Sequence, residues 1–302
     1  MSISVKNVTK FYGKQKALDN VSFEVSSGEV IGFLGPNGAG KSTMMKIITC
    51  FIPQSEGEIE VYGHNVMSDS IEVRKRVGYL PENNPLYLDM YVKEYLRFVG
   101  GIYKVPNLKN RVEEMIQKVG LQVEQNKRIG ELSKGYRQRV GLAQAMIHDP
   151  EVLILDEPTS GLDPNQLVEI RKLIVEIGKE KTVMLSTHIM QEVEAICNRV
   201  IIINKGKIVA DQDAEGLAQR FSGNGYTVMV EFSKPVEERQ LLQIEGVASA
   251  VNEKGDHWKI QTNTEEDIRQ RIFDFAVSQE NSVLTMNRKE QRLEDVFKEL
   301  TK

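Results

Sequence analysis

Short apolar runs alternate with amphipathic segments over the first two-thirds of the chain, which predicts an α/β fold. Residues 30–34 and 152–155 are almost wholly apolar, as expected of parallel strands buried on both faces. Residues 42–51 carry apolar side chains at near-helical spacing, and Pro53 follows them. Further predicted strands are 3–8, 21–25, 57–61, 77–80, 182–186, 200–203 and 208–209, and further predicted helices are 91–128 with interruptions, 133–145, 167–177 and 190–197.

A turn-forming segment, Ser222-Gly223-Asn224-Gly225, predicts a linker between two domains, 1–220 and 226–302. Beyond it the pattern changes to a β-α-β-β-α-β order with a closing helix, which predicts a small ferredoxin-like α+β domain. The predicted elements are 226–232, 236–244, 247–252, 257–262, 265–277, 281–286 and 291–300. No metal-binding cluster stands out here, and we interpret His257 and Trp258 as packing or surface residues. We expect a dimerisation or regulatory role for this domain.

The amino-acid composition limits the partners and the cellular location expected for this protein. The 302 residues carry a net charge of −4 with acids and bases interspersed, which disfavours nucleic acid as the main partner. No apolar stretch approaches the ~20 residues of a membrane helix, and the first residues do not resemble a signal peptide. Cys50 and Cys197 fall in predicted helices, so buried free thiols are expected. These features predict a soluble cytosolic protein.

A glycine-rich loop joins the predicted strand 30–34 to the predicted helix 42–51. It fits the phosphate-loop pattern, in which backbone N–H groups cradle phosphates and a lysine and a hydroxyl serve the phosphates and Mg²⁺. A helix N-terminus after a strand is favourable for an anion. The predicted phosphate-binding residues are Gly35, Pro36, Asn37, Gly38, Ala39, Gly40, Lys41, Ser42 and Thr43.

Two carboxylates, Asp156 and Glu157, follow the apolar strand 152–155. The carboxyl ends of parallel strands form the edge at which α/β ligand sites lie. One carboxylate there can bind Mg²⁺, and a second can hold or deprotonate an attacking water. An isolated Asp-Glu pair is more often a solvated loop, but its coexistence with the phosphate loop favours a catalytic pair.

Three further segments complete a recognisable set: Leu132-Ser133-Lys134-Gly135-Tyr136, Ser160-Gly161-Leu162-Asp163, and His188 after strand 182–186. In order and interval the set resembles the ATP-binding subunits of ABC transporters across about residues 1–218. The resemblance implies a P-loop ATPase fold with a mixed sheet, a helical subdomain at about 84–145, and hydrolysis of ATP.

The resemblance also implies a role for each residue of the site. Tyr12 stacks on adenine, Lys41 and the loop amides hold the phosphates, Ser42 and Asp156 organise Mg²⁺, Glu157 polarises the water, and His188 contacts the γ-phosphate. Ser133 and Gly135 contact the nucleotide of a second copy, so ATP binding would join two subunits into a homodimer. The partner driven by this dimer is a separate integral-membrane permease, which places the protein on the inner face of the cell membrane.

Two departures from the family pattern stand out. Lys134 and Tyr136 replace the second Gly and the Gln of the signature Leu-Ser-Gly-Gly-Gln. Lys134 either adds positive charge or points to solvent. Glu82 stands where the family usually has a Gln that contacts Mg²⁺ and water. We expect Glu82 to keep that sensing and metal-contacting role.

An aromatic segment lies in the predicted helical subdomain, with Tyr87, Tyr91, Tyr95, Phe98 and Tyr103. Most of these rings are expected to be packed in the core. By resemblance, one or two of them face a groove that receives a cytoplasmic helix of the permease.

The small C-terminal domain and the ending 293–301 resemble ATPases that pair with ABC-2-type exporter permeases. The segments 5–10 and 80–87 resemble gliding-motility ATPase subunits. An alternative is an ABC ATPase that acts on ribosomes or DNA. It is disfavoured because the chain has one ATPase unit and no long insertion between 41 and 156. A phosphate-loop kinase is disfavoured by the signature segment and His188.

Overall fold

The computed structural model describes residues 1–213, 226–264, 266–289 and 297. The chain divides into two compact units, whose described parts are 1–213 and 226–289. The predicted linker at 222–225 lies outside the described residues, and so does the predicted closing helix at 291–300 apart from residue 297. Within the described residues, no helix combines the length and the apolar character needed to cross a bilayer.

Two sheets build the first unit. A six-stranded mixed sheet has the order β10-β9-β3-β8-β7-β6 and is parallel except for β10, and a four-stranded antiparallel sheet has the order β2-β1-β4-β5. The strands are β1 Ile3–Tyr12, β2 Gln15–Val25, β3 Val30–Leu34, β4 Glu56–Val61, β5 His64–Asn65, β6 Val77–Leu80, β7 Val152–Asp156, β8 Thr182–Thr187, β9 Arg199–Asn204 and β10 Lys207–Asp213.

The helices of the first unit follow most of the predicted segments. They are α1 Lys41–Ile48, α2 Ser70–Arg76, α3 Val92–Ile102, α4 Leu108–Lys118, α5 Lys134–Met146, α6 Pro164–Gly178 and α7 Met190–Ile196, with a 3-10 turn at Ile129–Glu131. The apolar pattern does not predict α2, because only Val73 of this short, charged helix is buried.

The core of the first unit explains the apolar strands. Every residue of β3 and β7 is buried, as parallel strands covered on both faces should be. One hydrophobic cluster joins the antiparallel sheet, α1 and the central sheet, and includes Phe23, Phe33 and Met44. Helices α6 and α7 pack against β8 and β3. The carboxyl ends of the parallel strands are thereby held in fixed register.

Two predictions about α1 and its cysteine are wrong in detail. The helix ends at Ile48 instead of reaching residue 51. Cys50 adopts a left-handed φ of 58°, which ends the helical backbone, and its side chain is half-buried and lies outside the helix. Cys197 directly follows α7 and is buried. Both thiols are free.

The second unit has the predicted β-α-β-β-α-β order. Its antiparallel sheet has the order β12-β13-β11-β14, and Val230, Trp258 and Ile272 lie in its core. The elements are β11 Thr227–Phe232, α8 Glu238–Leu241, β12 Val247–Lys254, β13 His257–Thr262, α9 Arg269–Ser278 and β14 Val283–Lys289. The helix predicted at 236–244 shrinks to one turn, in which only Leu241 is buried.

Candidate functional site

A cleft of about 660 Å³ opens at the carboxyl ends of the central parallel strands. Strand register places Leu34 beside Thr187 and Asp156 beside Ser186, so the residues that follow β3, β7 and β8 meet at one edge. The cleft is lined by Tyr12, Gln15, Ala17, Asn37, Gly38, Gly40, Lys41, Ser42, Thr43, Glu82, Glu157, Ser160 and His188.

The loop between β3 and α1 needs glycine at two positions. A Cβ on Gly35 would lie 2.4 Å from the Ile203 carbonyl oxygen. Gly40 caps α1 with a φ of 113°, and a Cβ there would lie 2.7 Å from the Ala17 carbonyl oxygen. This close packing keeps the first turn of α1 at the cleft, where free N–H groups and the helix dipole favour an anion.

Lys41 brings a buried positive charge to the cleft. Its ammonium donates to the carbonyl oxygens of Gly35 (2.8 Å) and Pro36 (3.3 Å). It also lies 3.7 Å from Glu157 Oε1, and both side chains are under a tenth exposed. The carbonyl and carboxylate oxygens offset the cost of burying the ammonium and hold it beside the glycine-rich loop.

Ser42 and Asp156 form a pair of oxygen ligands across the cleft floor. The Ser42 hydroxyl donates to Asp156 Oδ1 at 3.1 Å, and the Ser186 hydroxyl donates to the same oxygen. A hydroxyl and one carboxylate suit Mg²⁺, which proteins usually hold through one or two carboxylates together with phosphate oxygens. The described residues contain no cluster of three His, Cys, Asp or Glu side chains able to hold a metal alone. The pair therefore fits Mg²⁺ bound together with a nucleotide.

Glu157 and His188 are paired at the mouth of the cleft. His188 Nδ1 lies 3.0 Å from each carboxylate oxygen of Glu157. Glu157 has a φ of 49°, and its N–H donates to the carbonyl and hydroxyl oxygens of Ser186. Burial raises the pKa of the Glu157 carboxyl, and His188 and Lys41 oppose that shift. A partly desolvated carboxylate in this position can accept a proton from a water molecule.

The structure does not bring two predicted site residues to this cleft. Ser133 caps α5, and its hydroxyl accepts from the Tyr136 N–H at 3.4 Å. A Cβ on Gly135 would lie 2.5 Å from Gln166 Cδ. Neither Ser133 nor Gly135 is among the described residues that line the cleft. Within one chain, Ser133 and Gly135 therefore lie outside the cleft that contains the phosphate loop.

The three residues that depart from the family pattern have distinct surroundings. The Lys134 ammonium lies against Gly161, because a Cβ on that glycine would be 2.1 Å from it. The exposed side chain therefore extends over the turn at 160–163. The Tyr136 ring lies 6.0 Å from the Arg139 guanidinium. Glu82 is exposed and lines the cleft.

A second depression, which we call the groove, has a volume of about 370 Å³. It is lined by Lys46, Thr49, Phe51, Arg74, Val77, Tyr79, Pro81, Pro85, Tyr95, Tyr103, Gln144, Ala145 and His148. Two rings of the aromatic segment, Tyr95 and Tyr103, face it. The expectation that most of these rings are core is wrong, because only Tyr95 is buried and the others are 38–56% exposed. The apolar side chains Val92, Leu96 and Val99 fill the buried face of α3 instead.

His148 is a neutral histidine in the wall of the groove. Its ring stacks on Tyr103 with centroids 3.9 Å apart, and its Nε2–H donates to the Val77 carbonyl oxygen at 3.2 Å. Nδ1 is buried and has no partner among the described residues. Burial lowers the pKa of His148 to about 4, and the charges of Lys181 and Arg111 add to that shift.

This histidine predicts a pH-dependent stability. An unfolded histidine titrates near pH 6.5, so below that pH the unfolded chain binds the additional proton. The contribution of His148 to the free energy of unfolding is therefore lost as the pH falls from about 6.5 towards 4, at no more than about 1.4 kcal/mol per pH unit. Thermal unfolding from pH 7.5 to 5 should show a shallower loss of Tm in His148→Phe, which keeps the ring stacking. Equal slopes in the two proteins would contradict this assignment.

The pattern along the chain did not identify Ser186 and Gln15 as side chains of the site. Ser186 donates to Asp156 and receives the Glu157 N–H. The available signal was positional: a polar residue near the end of an otherwise apolar strand, in register with the strand that carries the two carboxylates.

Comparison with known proteins identifies the family of this chain. A family model described as ABC transporter matches residues 18–160. The bacitracin transport ATP-binding protein BcrA of Bacillus licheniformis is 39% identical over 223 residues, which cover 72% of each protein. The linearmycin resistance ATP-binding protein LnrL of Bacillus subtilis is 31% identical over 99% of this chain and 98% of its own length.

Solved structures show the same fold. The ATP-binding cassette MJ0796, solved as a dimer in a post-hydrolysis state with ADP and Pi, is 27% identical. It aligns with a TM-score of 0.65 over 70% of this chain and 98% of its own. The cbiO1 protein of Clostridium perfringens, part of the transporter complex cbiONQ, is 29% identical and aligns with a TM-score of 0.66 over 72% of this chain and 91% of its own. In sequence and in fold, the chain belongs to the ABC transporter family, as one of its ATP-hydrolysing ATP-binding subunits.

Proposed function

We propose that this chain dimerises on ATP and thereby drives a separate membrane permease. One observation carries the proposal. The cleft gathers Lys41, Ser42, Asp156, Glu157 and His188, while Ser133 and Gly135 lie outside it at the start of α5. Two copies can each supply what the other lacks, which gives a symmetric dimer with two composite sites.

In the proposed site, the residues divide their roles by chemistry. Lys41 and the N–H groups of 35–43 hold the phosphates. Ser42 and Asp156 would hold Mg²⁺, with Glu82 near it, and the ion would neutralise charge on the phosphate oxygens. Glu157 accepts a proton from the attacking water, and His188 orients that carboxylate and contacts the γ-phosphate. The Tyr12 ring, half exposed at the end of β1, stacks on adenine.

The groove is the proposed contact with the permease. It combines the basic side chains Lys46 and Arg74 with the exposed rings of Phe51 and Tyr103, a mixture that suits an amphipathic helix. The bound subunit would lie on the inner face of the membrane. The names of BcrA and LnrL, which refer to bacitracin transport and linearmycin resistance, favour an export function, and we infer that the permease is of the ABC-2 type. The likeness of segments 5–10 and 80–87 to gliding-motility ATPase subunits makes gliding motility the specific process that we propose.

For the proposed domain 226–302 we infer a dimerisation or regulatory role, which truncation near Arg220 would test.

Co-purification tests the partner. The tagged chain, isolated from detergent-solubilised membranes, should bring down an integral-membrane protein. Phe51→Glu should abolish that capture while the isolated chain keeps its ATPase activity, because Phe51 is 72% exposed and lines the groove. Phe273→Glu is the matched control, since Phe273 is an exposed ring of the second unit. Co-sedimentation with ribosomes, without any membrane partner, would instead favour the alternative function.

A further inference from the structure

Glu192 is a fully buried carboxylate in the first turn of α7. Burying a carboxylate is unfavourable unless other groups offset its lost hydration. Among the described residues it forms no ion pair. Its compensation comes from two hydroxyl groups: Thr159 donates to Oε1, and Thr187 donates to Oε2 at 2.6 Å. Charge-assisted hydrogen bonds of this kind are strong.

The two threonines belong to different parts of the cleft. Thr159 lies two residues after Glu157 and directly before Ser160, which lines the cleft. Thr187 is the last residue of β8 and directly precedes His188. The Thr187 hydroxyl also accepts the Ile189 N–H at 3.1 Å, so both neighbours of His188 are held. The carboxylate of Glu192 thus joins Thr159 to Thr187, which lies 28 positions later in the sequence.

The hydrogen bonds continue to α5, the helix that begins in the signature segment 132–136. The Ser160 N–H donates to the Glu157 carbonyl oxygen at 3.1 Å, which closes the turn after β7. Gln138 of α5 donates from Nε2 to the Pro158 carbonyl oxygen at 2.8 Å in a buried contact. Ser133 caps this same helix. Buried hydrogen bonds therefore run from α5 through 158–160 and Glu192 to the residues around His188.

We propose that Glu192 is a positioning residue that holds His188 and the 157–160 turn in a fixed geometry relative to each other. In this arrangement, any movement of His188 on contact with phosphate is transmitted through Thr187 and Glu192 to Thr159. The turn that follows then moves with the occupancy of the cleft. This inference rests on the proposed roles of Glu157 and His188, and adds a residue that contacts no substrate.

Turnover in threonine and glutamate variants tests the inference. Thr159→Val and Glu192→Gln should each lower kcat about 10-fold or more, since small misplacements of reacting groups cost up to about 10²-fold. KM for ATP should change less than about twofold, because the phosphate loop is untouched. Thr159→Ser keeps the hydroxyl and should restore kcat. Glu194→Gln, exposed on the same helix, is the matched control and should leave kcat unchanged.

A double variant separates positioning from general destabilisation. Thr159→Val and Thr187→Val interrupt the same connection, so their combined effect on kcat should be well below the product of the single effects. Unchanged kcat in Thr159→Val and Glu192→Gln would overturn the inference. So would a Thr159→Ser protein as slow as Thr159→Val, or fully multiplicative effects. His188→Ala distinguishes the two levels: if it hydrolyses ATP normally the proposed role of His188 fails, and if it is slow while Thr159→Val is normal only the present inference fails.

Discussion

Glu157→Gln is expected to slow ATP hydrolysis by about 10²- to 10⁴-fold while ATP binding survives, because an amide cannot act as the general base. The substitution keeps the shape of a buried side chain that lies 3.7 Å from Lys41 and 3.0 Å from His188. Lys41 also keeps its hydrogen bonds to the Gly35 and Pro36 carbonyl oxygens, so the phosphate loop retains its geometry. With hydrolysis blocked, the variant should accumulate as an ATP-bound dimer.

Three measurements check this expectation: phosphate release for turnover, equilibrium binding for ATP affinity, and light scattering for mass with and without ATP. Glu58→Gln is the control, since Glu58 is exposed on β4 away from the cleft lining. A Glu157→Gln protein that stays monomeric and hydrolyses ATP at the wild-type rate would show that this carboxylate has no role in the reaction.

Lys41→Ala is expected to weaken ATP binding about 30-fold or more, since truncating one partner of a buried, hydrogen-bonded charge pair costs about 2–5 kcal/mol. The Lys41 ammonium is held by carbonyl oxygens and by Glu157. Its removal also takes a positive charge away from a carboxyl whose pKa is raised by burial. Turnover should therefore be lost together with affinity.

Lys46→Ala is the matched control for the loss of charge from α1. Lys46 lies on the same helix but lines the groove instead of the cleft, so its removal should leave ATP affinity within about twofold. Binding of a fluorescent ATP analogue to the three proteins measures the difference. Equal affinity in Lys41→Ala and wild type would contradict the role of Lys41 in holding phosphate.

The sequence was sufficient to predict the parts of the site that depend on local pattern. The apolar run 30–34, the glycines after it and the amphipathic segment from Ser42 specify a strand, a tight loop and a helix from neighbouring residues alone. The same holds for β7 and the two carboxylates that follow it. Each of these features needs only the side-chain alternation and turn chemistry of one short segment.

The remaining features depend on contacts between distant segments. Glu192 reads as an ordinary glutamate near a helix start, and only the packing of α7 brings it to Thr159 and Thr187. The exposure of Phe98 depends on which face of α3 other elements cover. The end of α1 depends on the left-handed backbone at Cys50. None of these is encoded in the spacing of a single element.

We infer that each active site is shared between two copies of the chain. Mixing Lys41→Ala with Ser133→Arg tests it directly. Each variant alone has two defective sites per dimer, but a mixed dimer joins the intact phosphate loop of one copy to the intact Ser133 of the other. Random pairing should restore about one quarter of wild-type ATP turnover. If the mixture stays as inactive as its components while mixed dimers form, then Ser133 and Lys41 serve the same chain and the shared-site account is wrong.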